Sequence, residues 1–96
     1  MAEYRLSPAA EIDLENIWRY TQLQWNSEQA DHYIDVLTTA FLELTEAPKK
    51  GQSCDHIRSG YRRSRIERHM IYFRMTPYGI NIVRVLHDRM DATQHL

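Results

Sequence analysis

The hydrophobic pattern of this chain changes period once, at Pro48, and the change divides it into a helical half and a strand half. Upstream, Ala10, Leu14, Ile17, Trp18, Thr21 and Trp25 recur at helical spacing, and Ala30, Tyr33, Ile34, Leu37, Phe41 and Leu44 do so again. Ser7-Pro8 opens the first of these helices, because serine accepts from free backbone N–H groups and proline fits the first helical position. Asn26-Ser27 interrupts the run and caps the second helix, and Pro48 closes it. Asp13, Glu15 and Asn16 are read as lying largely off the first stripe. So short a link between two amphipathic helices makes an antiparallel helical hairpin.

Downstream the chain reads as sheet. Lys49–His56 is a loop, and Gly60–Ile66, His69–Met75 and Ile80–His87 are strands rich in β-branched and aromatic residues. Thr76-Pro77-Tyr78-Gly79 is a turn, so the last two strands pair as a hairpin. Ile71, Phe73 and Met75 share the face expected to pack on the helices, and Met70, Tyr72 and Arg74 the other. With Glu3–Ser7 as an opening strand, the expectation is a single α+β domain over residues 1–96. Its order is βααβββ, with the N-terminal helical hairpin packed on a mainly antiparallel sheet.

Charge follows the same division. Residues 1–56 hold four basic side chains against ten acids, a balance of −6. Residues 57–96 hold eight arginines, no lysine and three acids, a balance of +5. Arginine is the side chain for fork-shaped recognition of carboxylate or phosphate, so the sheet is read as a basic binding surface. Arg62, Arg63, Arg65, Arg74, Arg84, His87 and Arg89 are the candidate contacts, with the C-terminal segment from His87 to Asp91. Strand alternation sends Arg63 and Arg65 to one face and Arg62 to the other. Arg74 and Arg84, inside otherwise apolar strands, are expected to pair with acids of the fold or of a partner.

Other chemistries are poorly served. The five histidines are scattered, and Cys54-x-His56 lacks the spacing of a common zinc half-site, so no metal is expected. Cys54 is read as lying in a polar loop without an activating motif. Three glycines hardly build a phosphate-cradling loop, and no cofactor is expected. His69 and His87 are candidates for proton transfer, weighed against the commoner role of a hydrogen-bonded histidine at a strand end. No apolar run reaches the roughly 20 residues of a membrane span. The acidic N-terminus is unlike a signal peptide, and the single cysteine suits a reducing compartment, so a cytoplasmic protein is expected.

LSPAAEIDLENIW near the start, GYRR at Gly60–Arg63, HMIYFR at His69–Arg74 and IVRVLHDRMD at Ile82–Asp91 together resemble the ParE branch of the RelE/ParE toxins. The resemblance spans essentially the whole chain and implies the same βααβββ order. It implies a toxin of a type II toxin–antitoxin pair, of the kind associated with plasmid stabilisation. That toxin would inhibit DNA gyrase without catalysis of its own and be neutralised in a hetero-oligomer by a ParD-type antitoxin. The alternative within the superfamily is a ribosome-dependent mRNA endonuclease of the RelE type. Such nucleases typically place a tyrosine near the C-terminus, whereas the last tyrosine here is Tyr78. A third reading is a nucleic-acid-binding module without toxicity.

Overall fold

The computed structural model describes residues 2–96. Strand β1 (Glu3–Leu6) leads into helices α1 (Pro8–Gln24) and α2 (Ser27–Glu46). A single 3-10 turn (Pro48–Lys50) and a two-residue strand β2 (Gln52–Ser53) follow. The longer strands are β3 (Tyr61–Ile66), β4 (His69–Thr76) and β5 (Gly79–His87), and a short helix α3 (Ala92–His95) comes last. The five strands lie in the order β1-β5-β4-β3-β2, with β1 parallel to β5 and the other pairs antiparallel. The helical hairpin and the mainly antiparallel sheet thus stand where the sequence put them. The 3-10 turn, β2 and α3 form in segments read as loop or tail.

Local chemistry sets the helix ends. Ser7 Oγ accepts from the Ala10 N–H at 3.0 Å and donates to the Val83 carbonyl at 2.6 Å, so one hydroxyl caps α1 and ties it to β5. Asn26 accepts from the Gln29 N–H at 2.7 Å at the start of α2. Gly79 opens β5 at φ 142°, and any side chain there would collide with the backbone of Glu3 on β1.

The main core lies between the hairpin and the sheet. Ile17, Leu37, Phe41 and Leu44 from the helices meet Ile71, Phe73, Ile80, Ile82 and Val85 from β4 and β5. Tyr4 packs edge-on against Phe41, with ring centroids 5.3 Å apart. A bulge in the β4–β5 ladder shapes this face: Tyr72 pairs with Arg84 but Phe73 with Ile82, leaving Val83 as the extra residue. Ile82 and Val85 therefore both reach the core, and Arg84 falls opposite Tyr72.

The other face of the sheet has a smaller core of Cys54, Tyr72, Leu86 and Ala92, edged by Ile57, Tyr61, Met70 and Leu96. Three expectations are corrected here. Cys54 is fully buried in this cluster, because the loop after β2 folds back over the sheet. Met75 is 50% exposed, because β3 begins opposite Arg74 and no strand flanks Met75 on that side. Trp25 is 75% exposed, because α1 ends at Gln24 and the chain turns before Trp25 can reach the core.

Phe41 is, with Phe73, one of the two largest fully buried side chains and packs in the core between the helices and the sheet. Phe41→Ala is expected to cost about 3–5 kcal/mol, read as a shift in the urea midpoint at constant slope.

Candidate functional site

The face of the sheet turned away from the hairpin is only partly covered, and the chain leaves a cleft there of about 240 Å³. One wall is sheet: Arg63 from β3, Met70 and Tyr72 from β4, and His87 from the end of β5. The other wall is Ile57 and the stretch from Asp88 to Thr93. Tyr61, Arg63 and Arg65 share this face through their pairing with Arg74, Tyr72 and Met70.

The candidate residues divide by what already holds them. Arg63 is half-buried in the cleft, and its Nε has no hydrogen-bond partner. Arg65 donates to Asp88 at 2.6 Å, which fixes the cleft's rim. His87 Nδ1 lies 3.1 Å from Asp88 and accepts from the Arg89 N–H at 3.2 Å. Arg89 and Arg74 are exposed. Arg74 has no acidic partner among the described residues, so the pairing expected within the fold does not form.

Arg62 points to the opposite face, as strand alternation required. It donates to the Gly51 carbonyl at 2.6 Å and holds the turn after α2 against β3. Arg84 is also engaged within the fold. It grips both carboxylate oxygens of Asp13 at 2.8 Å and donates to the His95 carbonyl at 3.0 Å. The hydrogen bond to Asp13 raises the Arg84 pKa further, so this charge is permanent. The structure therefore gathers Arg63, Arg65, His87 and Arg89 at or beside the cleft, and sets Arg62 and Arg84 to internal work.

Asp13 was placed off the apolar stripe, yet it is buried and also accepts from the Val85 N–H at 2.9 Å. Its signal was present: Ala10, Asp13 and Ile17 stand at i, i+3 and i+7, on one helical face. Tyr33 is the second residue the sequence reading did not single out for the site. Its hydroxyl lies 2.6 Å from His69 Nδ1, and the His69 ring meets the His87 ring edge-on at 5.4 Å. Burial, reinforced by His87, pushes the His69 pKa down to about 4, which keeps the ring neutral at physiological pH. Burial raises the thiol pKa of Cys54, which opposes thiolate formation. Among the described residues no group of three or more histidine, cysteine, aspartate or glutamate side chains is placed to hold a metal ion.

Chemically, the cleft joins apolar walls to one unpartnered guanidinium and a rim carrying both signs of charge. Asp88 and Asp91 on that rim repel a bare phosphate backbone. An amphipathic peptide segment, apolar with an acid beside it, fits the set better.

Comparison with known proteins bears on the whole chain. The family model for the ParE toxin of the type II toxin–antitoxin system parDE matches residues 4–92. The chain is 42% identical to toxin ParE1 of Mycobacterium tuberculosis over 96 residues, covering 99% of this chain and 98% of that one. It is 38% identical to toxin ParE1 of Caulobacter vibrioides over 96 residues, covering 100% and 99%. A chain of the solved chromosomal ParDE TA system from P. aeruginosa superposes with a TM-score of 0.78 at 19% identity, covering 91% of this chain and 96% of that one, which shows a shared fold.

Two outcomes follow from the geometry. Arg84→Ala leaves the Asp13 carboxylate buried without its cation and is expected to cost on the order of 3–5 kcal/mol in urea unfolding. Arg74→Ala, at an exposed unpaired charge, should leave the midpoint unchanged. His69 gives a pH signature. The unfolded ring takes a proton near pH 6.5, whereas the folded ring takes one only near pH 4. Stability from this group is therefore complete above 6.5 and is lost as pH falls towards 4. The loss is at most a few kcal/mol, reduced because the ring keeps some contact with water. In urea melts between about pH 7 and pH 4.5, His69→Gln should lose less stability than the wild type.

Proposed function

Because the chain belongs to the ParE toxins of type II toxin–antitoxin systems, we propose that it inhibits DNA gyrase and is neutralised by a ParD-type antitoxin. The observation that carries the proposal is the match over nearly the full length, with relatives at 38–42% identity themselves named as ParE toxins. In this reading the protein acts by binding. It holds gyrase with its DNA cleaved and turns an intermediate of the reaction into a lesion. That puts its work in the cytoplasm, and no helix among the described residues is long and apolar enough to cross a membrane.

The cleft supports the antitoxin half of the proposal. Arg63, Arg65, His87 and Arg89 would receive an acidic, partly apolar segment of the antitoxin, and Arg74 would add charge at the sheet's far end. A segment disordered alone could fold onto this surface as it binds, forming the hetero-oligomer. Against the nuclease alternative stands the position of the last tyrosine. Tyr78 lies in the β4–β5 turn, about 30 Å from His87 along the length of β5. There it stacks under Arg5 at 3.9 Å, remote from His87. The neutral, hydrogen-bonded His69 likewise suits a structural role.

Purified protein incubated with gyrase, supercoiled DNA and ATP is expected to accumulate cleaved DNA, while mRNA in a translating extract stays intact. Cut mRNA with unaffected gyrase would instead establish the endonuclease. Arg63→Glu is expected to weaken antitoxin binding by roughly tenfold or more, about 1.4 kcal/mol or more, with the circular dichroism spectrum unchanged. Equal affinity for the antitoxin would remove the cleft from that contact.

A further inference from the structure

Helix α1 carries apolar side chains on two sides. Ala10, Asp13 and Ile17 face the core, whereas Ile12, Glu15, Asn16, Arg19, Tyr20 and Leu23 all lie exposed on the remaining surface. Ile12 is 56% exposed, Tyr20 67%, Leu23 74% and Trp25, just beyond the helix, 75%. Ile12, Asn16, Arg19 and Leu23 stand at i, i+4, i+7 and i+11, a straight row about 16 Å long at 1.5 Å per residue. A surface helix normally keeps its apolar residues on the core side alone. A second row, with the exposed ring of Tyr20 beside it, is an unpartnered face.

We propose that this row is where two copies of the chain pair, α1 against α1, antiparallel about a two-fold axis between Asn16 and Arg19. The argument is self-complementarity. With the axis there, Ile12 of one copy meets Leu23 of the other, and the second Leu23 meets the first Ile12. The apolar ends of the row bury each other twice. Asn16 and Arg19 meet across the axis. Glu15 flanks the row on the Arg19 side, one turn earlier, and antiparallel helices bring like flanks together. Each Arg19 is therefore set beside the Glu15 of the other copy, again twice. A parallel pairing would put Arg19 against Arg19, so the charge pattern selects the antiparallel one. The cleft lies on the opposite face of the sheet and stays open in the pair, so this pairing is independent of the toxin reading. One helix pair is a small interface, which sets the affinity in the micromolar range.

Sedimentation of the purified protein across a concentration series from about 1 to several hundred micromolar is expected to show monomer passing to dimer. Leu23→Glu should weaken the dimer at least tenfold. Arg19→Glu and Glu15→Arg each set like charges across the axis, so each variant alone should remain monomeric. An equimolar mixture of the two should dimerise, because the reversed charges then meet opposite ones in the other chain, which no contact within a single helix reproduces. All three positions are exposed, so circular dichroism should be unchanged. A wild type that sediments as a monomer throughout overturns the proposal and leaves this face to a different protein. A mixture that fails to associate while the wild type does puts the dimer elsewhere and overturns it equally.

Discussion

Strand β1 pairs with β5 only from Glu3 to Leu6, so beyond Ile82 the edge of β5 faces no strand. An N–H left bare on such an edge, under a helix, would be costly. Asp13 resolves this from α1: its carboxylate accepts the Val85 N–H and takes the Arg84 guanidinium in two hydrogen bonds. Arg84 then passes a further hydrogen bond to the His95 carbonyl in the C-terminal helix. One carboxylate therefore binds the helix layer, the sheet edge and the covering of the opposite face. A buried ion pair of this kind adds little net stability over an apolar substitute. It fixes where α1 crosses β5 and where α3 rests. The cleft between the sheet and residues 88–93 has its shape because α3 is held there.

The same geometry explains why eight arginines in forty residues do not make one uniform basic surface. A guanidinium offers five donors, enough to serve several carbonyls and carboxylates at once. Arg62 and Arg84 use theirs inside the fold, at places where backbone carbonyls would otherwise lack partners. Arg65 is tied to Asp88, and Arg58 lies over the Tyr61 ring at 5.6 Å. Arg62 and Arg63 each keep a buried Nε without a partner, but Arg62 already spends its terminal nitrogen on the Gly51 carbonyl, whereas Arg63 faces the cleft beside His87. Charge counted along the sequence overstates the surface that a partner meets.

The helices and long strands were legible because each depends on a repeated signal, and a repeat survives one misread position. Pro48 and the Thr76–Gly79 turn are equally local. Trp25 was misread for a local reason, the end of α1 at Gln24; the other misreadings each turned on a contact between residues distant in sequence. Asp13 was read as lying largely off the apolar stripe, although its spacing put it in the core row; the Arg84 that makes burial tolerable stands 71 residues away. Cys54 sat among polar neighbours, and only the sheet beneath that loop makes it buried. Met75 alternated correctly but lay past the end of β3, a register fact that no single strand reveals. The candidate arginines were found by composition, but their division between internal and open roles required the bulge at Val83 and the position of α3.

A chain of 96 residues cannot cover both faces of a five-stranded sheet. This one commits two long helices to the first face, where Phe41 and Phe73 are wholly buried. For the second face there remain the loop around Cys54 and Ile57 and the last few residues of the chain. These shield Tyr72 and Leu86 and little else, and Met70 is left half-buried at the margin. The half-open sheet with arginine at its rim is thus a consequence of size. A partner segment laid there would complete a hydrophobic cluster the chain itself leaves unfinished. Its acids would meet the one cleft arginine whose buried Nε the fold leaves without an acceptor. Apolar burial and charge pairing would be gained together on the same few strands, and in a domain this small those strands are also part of the core.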